Sequence, residues 1–187
     1  YVHIPFCAKR CDYCAFATFT DRHHLQGEYV QAMRKHIRTL VAADMQPATS
    51  VFVGGGTPTM LPAEELLSVL AEIPLASRAE VTVECNPDDI TLEMMQQYLR
   101  GGVNRVSIGV QSTVDHVLQS LGRTHNPENV QRAVAHVKQA GFLTFNLDIM
   151  YGAAGESLAD WQQTVADIVA LEPPHVSAYG LTIEANT

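Results

Sequence analysis

Six short β-rich runs alternate with helical stretches along this chain, and that alternation constrains the fold more than any other feature. The expected strands are Tyr1–Pro5, Ser50–Gly54, Glu80–Cys85, Arg105–Gln111, Thr144–Met150 and His175–Thr182. Helical spacing of apolar residues marks stretches near Gln26–Ala43, Ala63–Ile73, Leu92–Gly101, Glu128–Ala140 and Leu158–Leu171, with a shorter helix over Val114–Leu121. Breakers punctuate them: Pro62 opens one helix, Gly101 and Gly102 follow another, Gly141 closes a third, and Thr91 offers an N-cap. Strands that each feed a helix argue a parallel sheet with right-handed crossovers.

An open doubly wound sheet and an incomplete barrel both satisfy this pattern. Side-chain parity separates them. Arg105, Ser107, Gly109 and Gln111 share one strand face, opposite Val106, Ile108 and Val110. Thr82, Glu84 and Asn86 likewise oppose Val81, Val83 and Cys85, and Asn146 and Asp148 oppose Leu147 and Ile149. A doubly wound sheet is covered on both faces and reads as continuous apolar runs. One apolar and one polar face instead predicts helices outside, a polar lumen, and a site at the C-terminal mouth. Six units fall short of the full eight-stranded barrel, so the expected fold is α/β, a partial (β/α)6 TIM-like barrel.

The 187 residues suit one domain, taken here as 1–187, and an apolar share of 47% supplies one core. A net charge of −8 excludes a non-specific nucleic-acid or anionic-membrane binder, which needs clustered Lys and Arg. No apolar run reaches the roughly 20 residues of a spanning helix, and no leader opens the chain. It begins inside a strand and stops just after another, as the core of something longer would.

Cys7, Cys11 and Cys14 lie within one loop after the first strand, spaced C-x3-C-x2-C, while Cys85 is remote. That is a poor disulfide framework and fits a reducing, cytoplasmic compartment and a metal. Three thiolates can hold three corners of an iron–sulfur cluster, leaving one iron open, or they can bind zinc with His23 or His24 as fourth ligand. Gly54-Gly55-Gly56-Thr57 ends the second strand. Glycines there let the backbone approach a ligand, or simply make a tight β-to-α turn. Glu84 ends the third strand, where a buried carboxylate requires a partner.

The string His3-Ile4-Pro5-Phe6-Cys7 … Cys11-Asp12-Tyr13-Cys14-Ala15-Phe16 resembles the signature of the radical S-adenosylmethionine (SAM) superfamily. It is most similar to the branch of oxygen-independent coproporphyrinogen III oxidases and related haem chaperones. Further matches follow in order at Val51–Thr59, Thr82–Pro87, Arg105–Ser112, Leu121–Arg123 and Asn146–Gly152. The resemblance implies a [4Fe–4S] cluster on Cys7, Cys11 and Cys14, whose open iron binds the amino and carboxylate groups of SAM. One electron into the sulfonium then gives methionine and a 5′-deoxyadenosyl radical. It places Tyr13 on the adenine side, Tyr1 toward SAM from the first strand, and Gly55, Gly56 and Thr57 at its amino group. Glu84 would take ribose hydroxyls or the cationic amine. Gln111, Arg123 and Asp148 would bind a second SAM or the substrate side, although Arg123 and Asp148 could also form an internal ion pair. Gly180 would lie near SAM. Cys85 reads as a buried core residue.

The oxidases carry a further cysteine two residues after the third ligand, where this chain has Phe16. The C-x-Y-C-x-F ending resembles the haem-chaperone branch instead. That branch implies haem or a porphyrin as ligand, a haem-accepting protein and an electron donor as partners, and a C-terminal domain not present here. The alternative is an oxidase-like enzyme acting in porphyrin biosynthesis.

Overall fold

A computed structural model describes residues 1–184; the last three positions of the expected domain lie outside the described residues. Six parallel strands form one sheet in the order β1-β2-β3-β4-β5-β6. They are β1 (Val2–Ile4), β2 (Ala48–Gly55), β3 (Leu75–Cys85), β4 (Arg105–Gln111), β5 (Thr144–Tyr151) and β6 (His175–Gly180). The helices are α1 (Gln26–Ala42), α2 (Ala63–Leu70), α3 (Leu92–Arg100), α4 (Asp115–Ser120), α5 (Pro127–Ala140) and α6 (Leu158–Ala170). Strand order equals sequence order with no reversal. With right-handed crossovers throughout, successive helices then fall on one side of the sheet, which is barrel winding rather than double winding. The expected partial (β/α)6 barrel is the fold found.

The parity of the strands is realised in packing. Val51, Val53, Val81, Val83, Val106, Ile108, Leu147 and Ile149 are buried in one core with Leu66 and Val69 of α2, Met95 and Tyr98 of α3, Val130, Val134 and Val137 of α5, and Ile168 of α6. The opposite face carries a polar lattice. Asn146 donates to Ser107 Oγ (2.7 Å) and Asp148 Oδ1 (2.8 Å), Ser107 donates to Asp148 Oδ2 (2.6 Å), and Ser177 donates to Asn146 Oδ1 (3.0 Å).

Local signals mostly hold. Thr91 Oγ1 accepts from the Met94 N–H at the start of α3, and Gly141 ends α5 in the left-handed conformation. Only β4 keeps its expected bounds; β1, β2 and β5 differ by one or two residues at an end, and the differences at β3 and β6 have a visible cause. β3 begins at Leu75, ahead of Glu80, because a register shift between Ala48 and Ser50 lets the earlier residues pair with β2. β6 ends at Gly180 rather than Thr182, where Leu181 N–H turns to the Tyr151 carbonyl. Among the described residues no helix is long and apolar enough to cross a membrane.

Candidate functional site

The C-terminal ends of the strands open into a cavity of about 380 Å³, within the range of small-molecule and cofactor sites. Cys7, Cys11 and Cys14 all line it, and all four cysteines are free thiols. The thiol loop is fastened at its base. Cys7 N–H donates to Phe19 O (3.1 Å) and Phe19 N–H to Pro5 O (2.7 Å). His23 Nε2 lies 2.9 Å from the Cys7 carbonyl, His3 Nε2 lies 2.9 Å from the Ala17 carbonyl, and Arg10 Nε donates to the Cys14 carbonyl (3.0 Å). Across the mouth, Asp12 N–H reaches the Leu121 carbonyl (3.3 Å).

The glycine run at the end of β2 faces this loop. Gly55 has φ of 115°, and a Cβ there would stand 2.5 Å from the His3 ring. A Cβ on Gly56 would lie 2.6 Å from the Phe6 carbonyl and 2.9 Å from Cys7 Sγ. Only glycine lets β2 pass this close to the thiol. Thr57 Oγ1 donates to Cys7 Sγ (3.7 Å). Thr18 Oγ1 is buried without a partner, close enough to oppose the upward push that burial gives the Cys7 thiol. An unsatisfied hydroxyl beside a buried thiol suits a sulfur that carries charge, as a metal-bound thiolate does. Three thiols on one cavity wall, a glycine clearing and spare donors therefore fit a sulfur-ligated metal group. His23, a possible zinc ligand on sequence grounds, has one ring nitrogen engaged with the Cys7 backbone.

Glu84 ends β3 inside the cavity. Its Oε2 accepts the Gly55 N–H (3.2 Å). Burial, with a smaller contribution from the nearby Asp148 charge, raises its carboxyl to about 7. Arg123 spans the wall: Nη1 donates to Cys11 Sγ (3.5 Å), and Nη2 to Asn86 Oδ1 (2.9 Å) and the Gly109 carbonyl (2.8 Å). Tyr13 packs beside Val117, Leu121 and Ala153, and burial pushes its hydroxyl upward against the opposing Arg123 charge.

The structure thus gathers Cys7, Cys11, Cys14, Tyr13, Gly55, Gly56, Thr57, Glu84, Gln111, Arg123 and Asp148 around one cavity. Gln111 arrives there by an unforeseen route. The β4–β5 register shifts between Gly109 and Gln111, and Gln111 takes φ of 64°. The internal ion pair open to Arg123 and Asp148 does not form; Asp148 accepts from Ser107 and Asn146 instead. Tyr1 and Gly180 lie outside the cavity wall. Tyr1 is exposed, its hydroxyl 3.2 Å from His3 Nδ1 and its ring stacked on Phe52. Gly180 sits against the Tyr151 ring, and its neighbour Tyr179 reaches the cavity. Cys85 is buried in the main core, as expected, with its thiol donating to the Val83 carbonyl (3.6 Å). Sequence reasoning missed Asn86, whose position on the polar face of β3 was the available signal.

Comparison with known proteins agrees with this geometry. The family model described as the radical SAM superfamily matches residues 1–168. Similar curated proteins include "Heme chaperone HemW" of Escherichia coli strain K12, 41% identical across 100% of this chain and 51% of that protein. "Heme chaperone HemW" of Bacillus subtilis strain 168 is 34% identical over the same shares. This chain therefore spans about half the length of these relatives. Among solved structures, coproporphyrinogen III oxidase HemN from E. coli superposes with a TM-score of 0.89 and 28% identity, over 97% of this chain and 43% of that one. The methyltransferase TsrM from Kitasatospora setae, solved with cobalamin and a [4Fe–4S] cluster, shares the fold at a TM-score of 0.72 and 17% identity, over 100% of this chain and 38% of that one. The three cavity-lining cysteines, the glycine clearing and the family match over residues 1–168 agree, with a [4Fe–4S] cluster and SAM as the implied cofactors: the chain belongs to the radical SAM superfamily.

Proposed function

We propose that this chain is the cluster- and SAM-binding core of a haem-binding protein that delivers haem to an acceptor protein in the cytoplasm. The observation that carries this reading is the match along the whole chain, at 41% identity, to a protein named heme chaperone HemW. Phe16 supports it. An exposed phenyl ring lines the cavity where the oxidase pattern has a cysteine.

In this reading Cys7, Cys11 and Cys14 hold the cluster, which when bound supplies one reducing electron and an open iron for a chelating ligand. Glu84 attracts the ammonium of SAM and gains the cationic partner that its buried carboxylate lacks. The Gly54–Thr57 backbone leaves room for the ligand's polar end, Tyr13 offers a ring to the adenine, and Arg123 and Gln111 hold the far wall. Tyr1 and Gly180 would approach SAM from the rim. Haem, the acceptor and the electron donor are met by the full-length protein.

Haem titration of anaerobically reconstituted full-length protein tests this. Stoichiometric binding is expected, and its absence would reject haem delivery. The superposition with HemN favours a second reading, an oxidase-like radical SAM enzyme. Anaerobic incubation with coproporphyrinogen III, SAM and a reductant would then yield product above a protein-free control.

A further inference from the structure

We infer that Asn86 is a positioning residue that directs hydrogen bonds onto the sulfurs of Cys7 and Cys11 and so sets the reduction potential of the group those thiols hold. This rests on the [4Fe–4S] reading above.

The argument is one of forced direction. Arg123 has only donors, so the Asn86 amide must present Oδ1 to it, at 2.9 Å. Nδ2 of Asn86 then faces Thr57 and donates to its Oγ1 at 3.3 Å. A hydroxyl that accepts from this side has its own hydrogen free, and the acceptor within reach is Cys7 Sγ, at 3.7 Å. Thr57 cannot turn away easily. It is buried, and its backbone N–H is fixed to the Phe6 carbonyl at 2.8 Å. The same guanidinium that sets the amide also donates through Nη1 to Cys11 Sγ at 3.5 Å, while the Gly109 carbonyl anchors its Nη2 at 2.8 Å. Asn86 thus couples two hydrogen bonds onto two of the three sulfurs, from opposite ends of one side chain.

Hydrogen bonds to cluster sulfurs stabilise the more negative, reduced state and raise the potential. Removing one should shift the one-electron equilibrium about tenfold toward oxidation, equal to about 59 mV. Full-length protein, reconstituted anaerobically, is titrated with dithionite and followed by the EPR signal of the reduced cluster. Thr57→Val and Asn86→Leu keep size and add no charge; both should lower the potential at wild-type iron and sulfide content. Thr57→Ser, which keeps the hydroxyl, should stay at the wild-type value. Asn86→Leu should shift at least as far as Thr57→Val, and adding Thr57→Val to Asn86→Leu should move it no further, because the amide acts on Cys7 through the hydroxyl. A loaded Thr57→Val protein at the wild-type potential would overturn the inference alone. A wild-type protein that assembles no iron–sulfide cluster would overturn the reading beneath it and this inference with it.

Discussion

Glu84→Gln should make the metal-free protein more stable at alkaline pH and change the pH dependence of its unfolding. The Glu84 carboxylate is largely withdrawn from water, with one backbone N–H on it and a like charge at Asp148 nearby. Folding therefore raises its proton affinity from an ordinary 4.5 to about 7. A group held protonated by the fold contributes stability below its unfolded value and loses it as pH rises through the folded one. At 1.36 kcal/mol per pH unit the full loss is about 3 kcal/mol, most of which falls between pH 5 and pH 8. His125 works the other way. Burial first, and the Arg123 charge second, press its imidazole down to about 4, with Nε2 set 2.8 Å from the Val110 carbonyl. Its contribution is intact above 6.5 and declines as pH falls toward 4.

In wild type the two slopes oppose each other between about pH 4.5 and 6.5, and stability should be nearly flat there. Glutamine keeps an acceptor for the Gly55 N–H and removes the titration. The variant should show the His125 slope uncovered, with stability rising from pH 5 to 6.5. Its advantage over wild type should grow by roughly 2–3 kcal/mol from pH 5 to pH 8. Guanidinium unfolding at half-unit pH intervals measures both. Parallel curves for the two proteins across that range would refute the assignment of a strained carboxyl at the cavity. The same substitution should weaken SAM binding, since the carboxylate that costs stability in the empty site is the one a cationic ligand would neutralise.

Cys7→Ala, Cys11→Ala and Cys14→Ala should each abolish retention of iron and sulfide in anaerobic analysis, whereas Cys85→Ala should leave both at wild-type levels because its thiol is spent on a core carbonyl. Gly56→Ala should cost about 2 kcal/mol in thermal or chemical unfolding, as its methyl would stand 2.6 Å from the Phe6 carbonyl. A Gly56→Ala protein of unchanged stability would mean that the β2 end and the thiol loop are not held as close as described.

The sheet was legible because its signal is local and repeated. Val106, Ile108 and Val110 alternate with Ser107, Gly109 and Gln111, and every strand that shows this pattern orients in the same way. Residue types carried the cavity lining as well, since a polar residue on the lumen face of a strand, such as Glu84 or Asp148, points into the cavity wherever the strand is regular. What stayed hidden depends on approach between distant segments. The anchoring of the thiol loop by His3 and His23 joins residues through backbone carbonyls, and a carbonyl has no sequence letter. The bulge that redirects Gln111 replaces one regular pairing step by a left-handed residue, which a non-glycine residue does not advertise. Asn86 was on the correct face but lacked the charge or thiol that draws notice. The beginning of β3 lies before the apolar run, where pairing with β2, not burial, decides the boundary.

The polar groups of the lumen fall into two sets with different electrostatic states, and that division explains which of them a ligand meets. In one set Ser107, Asn146, Asp148 and Ser177 saturate one another: both Asp148 oxygens accept, and Asn146 gives and receives. Such a network is stiff and has little left to offer a solute. Glu84, although it pairs in register with Ser107, belongs to the other set. It accepts a single weak donor, the Gly55 N–H. A ligand gains most where desolvation has already been suffered and not compensated, because its polar atoms then replace no existing bonds. The saturated set thus braces β4, β5 and β6 against one another, while the Glu84 carboxylate, three thiols and a glycine clearing are left to meet a cationic, sulfur-bearing cofactor.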